Sequence, residues 1–389
     1  MVLSKIPGVY YDETVEYQTP GTGGKIPVFI GKTGNSATTG YAVDGTQINK
    51  FTSWEEVNRT IANGGIGTDT SANPLLAVLE EFFEEAEVKA ADDLGVPYIY
   101  VIDVGAGTSK NVWLAALTTA KTKTEAIIEA YVGAESITDS GYELGDFLAA
   151  AHASIVTEAT NLNLRTGFTT KIGATDSQLI ALNPTSGGVL KSRIGICEPN
   201  HFGKIFALIC TTPYYIEPGY LEFRTLGAGK FASRTRTEEL ALQNAGIIFG
   251  HDEKVNNITM TRINLSTSTA YAKSPVPSDA LFHARFNADN LLRRVFEAVF
   301  PQVKANESAT NIITNQTAID AIIDEEVENE RMIEYDPETG EGTMLQLVES
   351  NSNPYDMMVA GQIQPINCTG PIVVKAKIKN PKITASTSN

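Results

Sequence analysis

The stretch YIYVIDVGAG at residues 98–107 decides the fold class. Its first half is apolar without polar alternation, which is typical of a strand covered on both faces in a parallel sheet. The glycines then indicate a tight turn, and residues 111–121 follow with a helical pattern. A buried strand, a turn and a helix in succession predict an α/β sheet with helices on its faces.

The same stretch resembles half of a dinucleotide-binding fingerprint. Gly105 and Gly107 have the right spacing, but Lys110 stands where the third glycine is needed. A tight turn explains the two glycines equally well. The Gly-Lys pairs at 24–25 and 229–230 are followed by Ile26 and Phe231 instead of Ser or Thr, so no phosphate loop is predicted.

Strand and helix patterns alternate outward from this stretch. Strands are predicted at 26–31, 98–102, 126–128, 179–182, 193–197 and 205–209, and as a hairpin-like pair at 247–249 and 258–263. Helices are predicted at 53–61, from Pro74, and at 111–121, 143–161, 237–245, 287–300 and 317–332. Strands at 344–348, 363–366 and 372–378 close the chain, which predicts a mixed α/β and α+β subunit.

Both ends of the sequence indicate extended segments. Ile372, Val374, Ala376 and Ile378 alternate with Lys375, Lys377 and Lys379, the pattern of a half-buried strand that needs a pairing partner. Residues 1–24 show no helical period and, fully extended, reach at most about 65–70 Å. We therefore predict extended arms at both ends.

Composition excludes several classes of protein. The 389 residues are 42% hydrophobic and 20% charged, which is ordinary for globular domains. A net charge of −16 argues against a nucleic-acid partner. Three cysteines at wide spacing predict neither a disulfide framework nor a zinc site. The first residues lack a signal peptide and no apolar run is long enough to span a membrane, so we expect a soluble protein made in the cytosol.

No set of residues predicts catalysis, a cofactor or a metal site. The four histidines are not paired at ligand spacing, and no Gly-x-Ser-x-Gly elbow occurs. Carboxylates cluster at residues 80–87 and 324–330 on the polar faces of predicted helices. Solvated faces explain both clusters, and a docking surface for a partner is the alternative. Arg293 and Arg294 could serve such docking equally.

The order of segments is similar to that of contractile tail sheath proteins of tailed phages, R-type bacteriocins and related injection systems. The segments that carry this resemblance are 7–10 (PGVY), 27–31 (PVFIG), 238–247 (EELALQNAGI), 263–268 (INLSTS), 285–300, 361–363 (GQI) and 372–378. They are loose and mostly apolar, and Pro365 interrupts the strand expected at 363–366. The resemblance spans the chain and is clearest over residues 1–31 and 237–379.

The resemblance implies a structural subunit that polymerises as a helical lattice around an inner tube and contracts without a nucleotide. It implies partners as well: other copies of the chain, an inner tail tube protein, and baseplate and tail terminator proteins. The location would be a virion tail or extracellular contractile particle, assembled in the host cytoplasm. Neighbouring subunits would complete a small sheet through their arms.

Carried onto this sequence, the resemblance assigns two sets of residues. The inter-subunit arm contacts are Ile6, Pro7, Gly8, Val9, Tyr10, Ile372, Val374, Ala376 and Ile378. The candidates for a helix facing the tube are Arg293, Arg294, Asp320, Asp324 and Glu328.

We expect four regions: an arm at 1–24, an outer α/β domain at 25–233, a sheath core domain at 234–370 and an arm strand at 371–389. Another self-assembling virion protein, of tube or capsid, is the alternative to a sheath. An α/β nucleotide-binding enzyme that uses the turn at 103–107 is a further, less favoured one.

Overall fold

The structure is a computed structural model with two units. It describes residues 25–34, 42–62, 73–90, 95–159, 163–183, 192–255, 258–271, 280–299, 309–350, 353–365 and 372–376. The first unit ends at His283 and the second begins at Ala284. This division differs from the boundary expected at 233/234, because a strand at 247–248 still pairs with the sheet of the first unit.

A seven-stranded sheet forms the centre of the first unit. Its strands are β1 (Pro27–Gly31), β2 (Asn49–Phe51), β3 (Ile99–Asp103), β4 (Ile128–Val132), β5 (Thr166–Thr170), β6 (Ile194–Cys197) and β7 (Ile247–Ile248). Their order is β2-β3-β1-β4-β5-β6-β7, and only β2 runs antiparallel to its neighbour. The described helices of this unit are α1 (Trp54–Ala62), α2 (Pro74–Ala90), α3 (Lys110–Ala120), α4 (Leu144–Ala159), α5 (Asp176–Leu182), α6 (Phe202–Thr211) and α7 (Arg236–Asn244).

Helices cover both faces of this sheet. Phe29 of β1 meets Phe82 of α2 and Phe206 of α6 edge to face, with ring centroids 5.0 and 5.2 Å apart. The flanking residues Val28 and Ile30 belong to another core, which includes buried side chains of α3, α4, α5 and α7. Successive strand residues point to opposite faces, so the two cores lie on opposite sides of β1. β3, the strand for which cover on both faces was predicted, is likewise buried at all five residues, so that prediction is confirmed.

Two predicted strands are helices in the structure. Residues 205–209 lie in α6, all of whose ten residues are buried, and residues 179–182 lie in α5. A short, uniformly apolar run shows no period, so a buried helix and a buried strand look alike in sequence. The strand β5, whose sequence is TGFTT, was not predicted, because its threonines and glycine lack the apolar pattern expected of a buried strand.

The predicted pairing of 247–249 with 258–263 is also wrong. β7 pairs in parallel with β6, and the hairpin consists of β8 (Gly250–Val255) and β9 (Ile258–Ile263). The chain therefore passes directly from the main sheet into the hairpin.

The second unit combines helices with a small antiparallel sheet. Helix α8 (Phe282–Val299) enters this unit at Ala284, and α9 (Ala309–Glu328) follows. Strands β10 (Met344–Ser350), β11 (Asn353–Ile363) and β12 (Ile372–Ala376) form a sheet with β11 in the centre. The strand expected at 363–366 thus ends at Ile363, before Pro365, and α9 begins eight residues earlier than predicted.

Candidate functional site

The small sheet of the second unit contains part of the predicted arm. β12 runs antiparallel to β11, and Ile372, Val374 and Ala376 lie opposite Ile363, Gly361 and Val359. A partner for this strand therefore exists within the same chain. Of the other predicted arm contacts, Ile378 and residues 6–10 lie outside the described residues.

Glycine at position 361 allows β10 and β11 to approach closely. Gly361 lies opposite Leu345, and a Cβ atom at Gly361 would lie 1.9 Å from the carbonyl oxygen of Met344. A larger residue there would force the two strands apart. This glycine belongs to one of the segments that carry the resemblance.

Helix α9 has one buried face and one acidic face. Ile319 and Ile323 are buried, whereas Asp320, Asp324 and Glu328 are exposed. The amphipathic pattern predicted for this helix is confirmed. Three of the five candidates for a tube-facing surface thus lie in solvent.

The remaining two candidates are arginines of α8. Arg294 forms ion pairs with Glu325 and Glu326 of α9, and Arg331 also reaches Glu326 at 3.4 Å. Glu326 is fully buried. Arg293 is half-buried. The charge of Arg294 is therefore used inside the unit, and the exposed candidates are all acidic.

A groove lies between α9 and β10. Its volume is about 480 Å³, and its lining combines aliphatic with acidic side chains. Gln316 of α9 extends to the outer edge of β10, where its amide bonds the backbone at Leu345 and Leu347. Sequence reasoning missed Gln316, since a polar residue on a helix carries no signal of contact with a strand thirty residues away.

Side-chain and backbone groups of the protein occupy the turn that resembles a dinucleotide fingerprint. Thr33 donates to both carboxylate oxygens of Asp103 at 2.7 and 2.8 Å, and the Gly105 N–H donates to the same carboxylate at 2.7 Å. A Cβ atom at Gly107 would lie 2.8 Å from Oγ of Ser136. These glycines serve tight packing, and the interpretation as a turn accounts for them.

The acidic cluster of α2 serves contacts within the first unit. Glu81 accepts from the Gly203 N–H at the start of α6, and Glu84 pairs with Lys204 at 2.7 Å. Glu85 is fully buried and accepts from the backbone N–H groups of Arg224 and Thr225. The buried Glu85 does not belong to the solvated face or docking surface that was expected from the sequence. Glu80, Glu84 and Glu87 are exposed, so the solvated face expected from the sequence describes these three carboxylates.

The side chain of a buried lysine, Lys25, caps the C-terminal end of helix α6. The Lys25 ammonium donates to the carbonyl oxygens of Ile209, at 2.9 Å, and Thr212. Burial lowers the pKa of this ammonium from 10.5 to about 8. Cys197 and Cys210 are buried free thiols, and burial raises the pKa of each. These groups act in packing and helix capping.

The described part of the chain holds no group of three or more His, Cys, Asp or Glu side chains placed to bind a metal ion. None of its helices is long and apolar enough to cross a membrane.

Comparison with solved structures identifies the fold. No family model matches the sequence, and no curated protein matches it. A chain in the baseplate of the anti-feeding prophage matches with a TM-score of 0.63 at 12% identity, covering 96% of this chain and 99% of that one. The sheath of the extracellular contractile injection system PVC, in the contracted state, gives 0.61 at 10% identity, with 96% and 98% covered.

A third match is the sheath tail protein Lin1278 of Listeria innocua, with a TM-score of 0.59 at 9% identity and coverage of 92% and 96%. The chain has the fold of a contractile sheath subunit. The sheath fold extends over both units, because each match covers more than nine-tenths of both chains. The predicted fold is therefore confirmed, while pairing between subunits through the arms stays a prediction.

Proposed function

We propose that the protein is a structural subunit of a contractile tail sheath. It polymerises as a helical lattice around an inner tube, and contraction of the lattice drives that tube through a cell envelope. The single observation that carries this proposal is the match of nearly the whole chain, in both units, to subunits of contractile sheaths. A helical lattice is the open form of head-to-tail association.

Partners follow from the same proposal. The subunit binds other copies of itself, the inner tube protein, and the baseplate and terminator proteins at the two ends of the tail. The exposed acidic face of α9, with Asp320, Asp324 and Glu328, is the candidate for contact with the tube. The particle is assembled in the host cytoplasm and acts as a virion tail or extracellular device.

Exchange of the final strand links neighbouring subunits in this proposal. β12 pairs with β11 of its own chain, and an identical strand from a neighbour fits the same place in the same register. Such domain swapping needs no new surface, because the acceptor already recognises the strand.

Electron microscopy of the purified chain tests the function. At high protein concentration we expect tubular polymers of constant diameter, formed alone or on added tube protein. A protein that stays a monodisperse monomer under both conditions would contradict a sheath. Closed shells would favour a capsid protein instead.

Deletion of residues 371–389 tests the strand exchange. We expect the shortened chain to fold, with the helical circular dichroism signal retained, but to form no tubes. The matched control carries a scrambled sequence of the same composition at 371–389. Tubes that form normally from the shortened chain would show that the final strand does not link subunits.

A further inference from the structure

Residues 224–235, which we call the strap, run along the surface of the first unit outside any helix or strand. Within the described part of the chain, no backbone–backbone hydrogen bond joins residues 225–233 to another segment. Leu226 and Phe231 are nevertheless buried. Side-chain contacts therefore hold the strap in place.

Two carboxylates from other elements hold the first half of the strap. Glu85 of α2 accepts from the backbone N–H groups of Arg224 and Thr225, at 2.8 and 3.0 Å. Asp252 of β8 accepts from the N–H of Gly229 at 2.6 Å. Hydrogen bonds to an ionised acceptor are about twice as strong as neutral ones, so a few such contacts can fix a segment that lacks a backbone ladder.

Arg234 fastens the other end of the strap. Its guanidinium donates to both carboxylate oxygens of Asp176, at 2.8 and 2.9 Å, and to Glu198 at 2.8 Å. It lies over the Phe249 ring, 5.2 Å from the centroid. Glu198 also accepts from the Gly250 N–H, while the Gly250 carbonyl accepts from Arg234 at 3.4 Å. The clasp of Arg234 and Glu198 thus fixes the end of the strap and the first residue of β8 together.

The middle of the strap packs on the same strand. A Cβ atom at Gly250 would lie 2.3 Å from the ring of Phe231, so the absence of a side chain on β8 makes room for this ring. Phe231 also meets Phe223, with the ring centroids 5.5 Å apart. Strap and hairpin therefore share polar contacts at Asp252 and at the clasp, and apolar contacts at Gly250.

We propose that the strap and the β8–β9 hairpin are a conformational device: they open together as one cooperative unit when the clasp of Arg234 and Glu198 is released, while the main sheet stays folded. Segments with few backbone hydrogen bonds to their surroundings open at low free energy, and moving elements are drawn from them. This opening needs only contacts within the first unit, so it does not depend on the proposed function.

Native-state hydrogen exchange of the full chain tests the common opening. Arg234→Met removes the guanidinium but keeps the apolar stem of the side chain. The amides of Thr225, Gly229 and Gly250 should then exchange faster by one common factor, about ten- to hundredfold. The first two amides do not bond to Arg234, so an equal factor there reports a single opening. The control Arg236→Met breaks an exposed ion pair close by and should leave all three rates unchanged.

Trypsin gives a second readout, because Lys230 is exposed in the middle of the strap. Cleavage of a transiently opened segment follows the population of the open form. Cleavage after Lys230 should therefore rise in Arg234→Met by the factor found in exchange. Lys230→Gln removes the cleavage site and should abolish that product.

The buried Ile102 of β3 reports whether the main sheet stays folded, and its amide should exchange at the wild-type rate in Arg234→Met. If that variant does not fold, Asp252→Ala replaces it, since this side chain is exposed. Asp252→Ala should speed exchange of Gly229 and Thr225 together, about fivefold. Faster exchange of Gly229 with Thr225 unchanged, in either variant, would overturn the common opening. Equal acceleration of the strap and Ile102 would overturn it as well, because the whole unit would then open at once.

Discussion

Replacing Glu326 by Gln should destabilise the second unit, because this carboxylate is fully buried between two arginines. Arg294 of α8 and Arg331 both reach its Oε1 atom, so the substitution leaves two partly buried cations without their shared counter-charge. Breaking a buried ion pair typically costs about 3–5 kcal/mol. Arg294 keeps its exposed partner Glu325, and both arginine side chains retain some contact with solvent. We therefore expect a loss of about 2–4 kcal/mol.

Removing both charges should cost less than the two single changes together. Arg294→Met alone leaves Glu326 buried with only the 3.4 Å contact to Arg331 and should cost about 2–4 kcal/mol as well. The double variant Arg294→Met, Glu326→Gln should lose at least about 1–2 kcal/mol less stability than the sum of the two single losses. That difference is the size of the coupling seen between residues in one network. The control Arg236→Met breaks an exposed pair with Glu239 and should change stability by less than about 0.5 kcal/mol.

Hydrogen exchange of α8 and α9 is the suitable assay, because two units need not unfold in one step. Exchange under equilibrium conditions reports the free energy of opening for this unit alone. A double variant whose loss equals the sum of the single losses would refute the coupling. A loss below 0.5 kcal/mol in Glu326→Gln would refute the buried network and make Arg294 available for a tube contact.

Three further outcomes follow from the structure. The pKa of Lys25 is about 8 in the folded protein and ordinarily 10.5. Between these values the unfolded chain binds more protons, so stability rises with pH. Urea unfolding followed through the buried Trp113 should show a gain of about 0.8 kcal/mol in the free energy of unfolding from pH 7 to 8.5, and Lys25→Met should lack this gain. The two buried thiols act in the opposite sense above about pH 9 and cancel in that difference. Asn73→Ala removes the acceptor for the Leu76 N–H at the start of α2 and should lower the free energy of unfolding by about 1–2 kcal/mol, measured by urea unfolding. Asn58→Ala, on the exposed side of α1, should not lower it. Gly342→Ala places a Cβ atom 2.0 Å from the Glu334 carbonyl oxygen at a φ of 101°. It should lower the free energy of opening, measured by hydrogen exchange of β10, by more than about 2 kcal/mol. Gly340→Ala, in open space at a φ of 72°, should lower it by about 1 kcal/mol.

The main sheet could be predicted where the sequence has a period or a clear boundary. The run at 98–102 is bounded by a glycine turn and a helix, and β3 lies there. Residues 205–209 have neither boundary nor period, since α6 is buried on every side. The difference lies in the tertiary packing of α6 against α2, which local sequence does not record.

The candidate site was less accessible to sequence reasoning than the fold. A strand at 372–378 was predicted from alternation alone, and β12 lies at 372–376, but its register against β11 depends on a chain segment about ten residues earlier. Glu85 and Arg294 looked like surface charges on helices, and each is used internally because another element brings a partner to it. Spacing along one helix shows which residues share a face, but not what that face meets.

The short link before β12 has a kinetic consequence. Only the eight residues 364–371 separate β11 from β12, which keeps the strand near its acceptor at an effective concentration of about millimolar. A strand from another molecule competes on equal terms only where neighbours are crowded to a similar local density. Dilute subunits should therefore remain closed, and if the chain polymerises as proposed, filaments should appear after a nucleation lag and then grow at their ends.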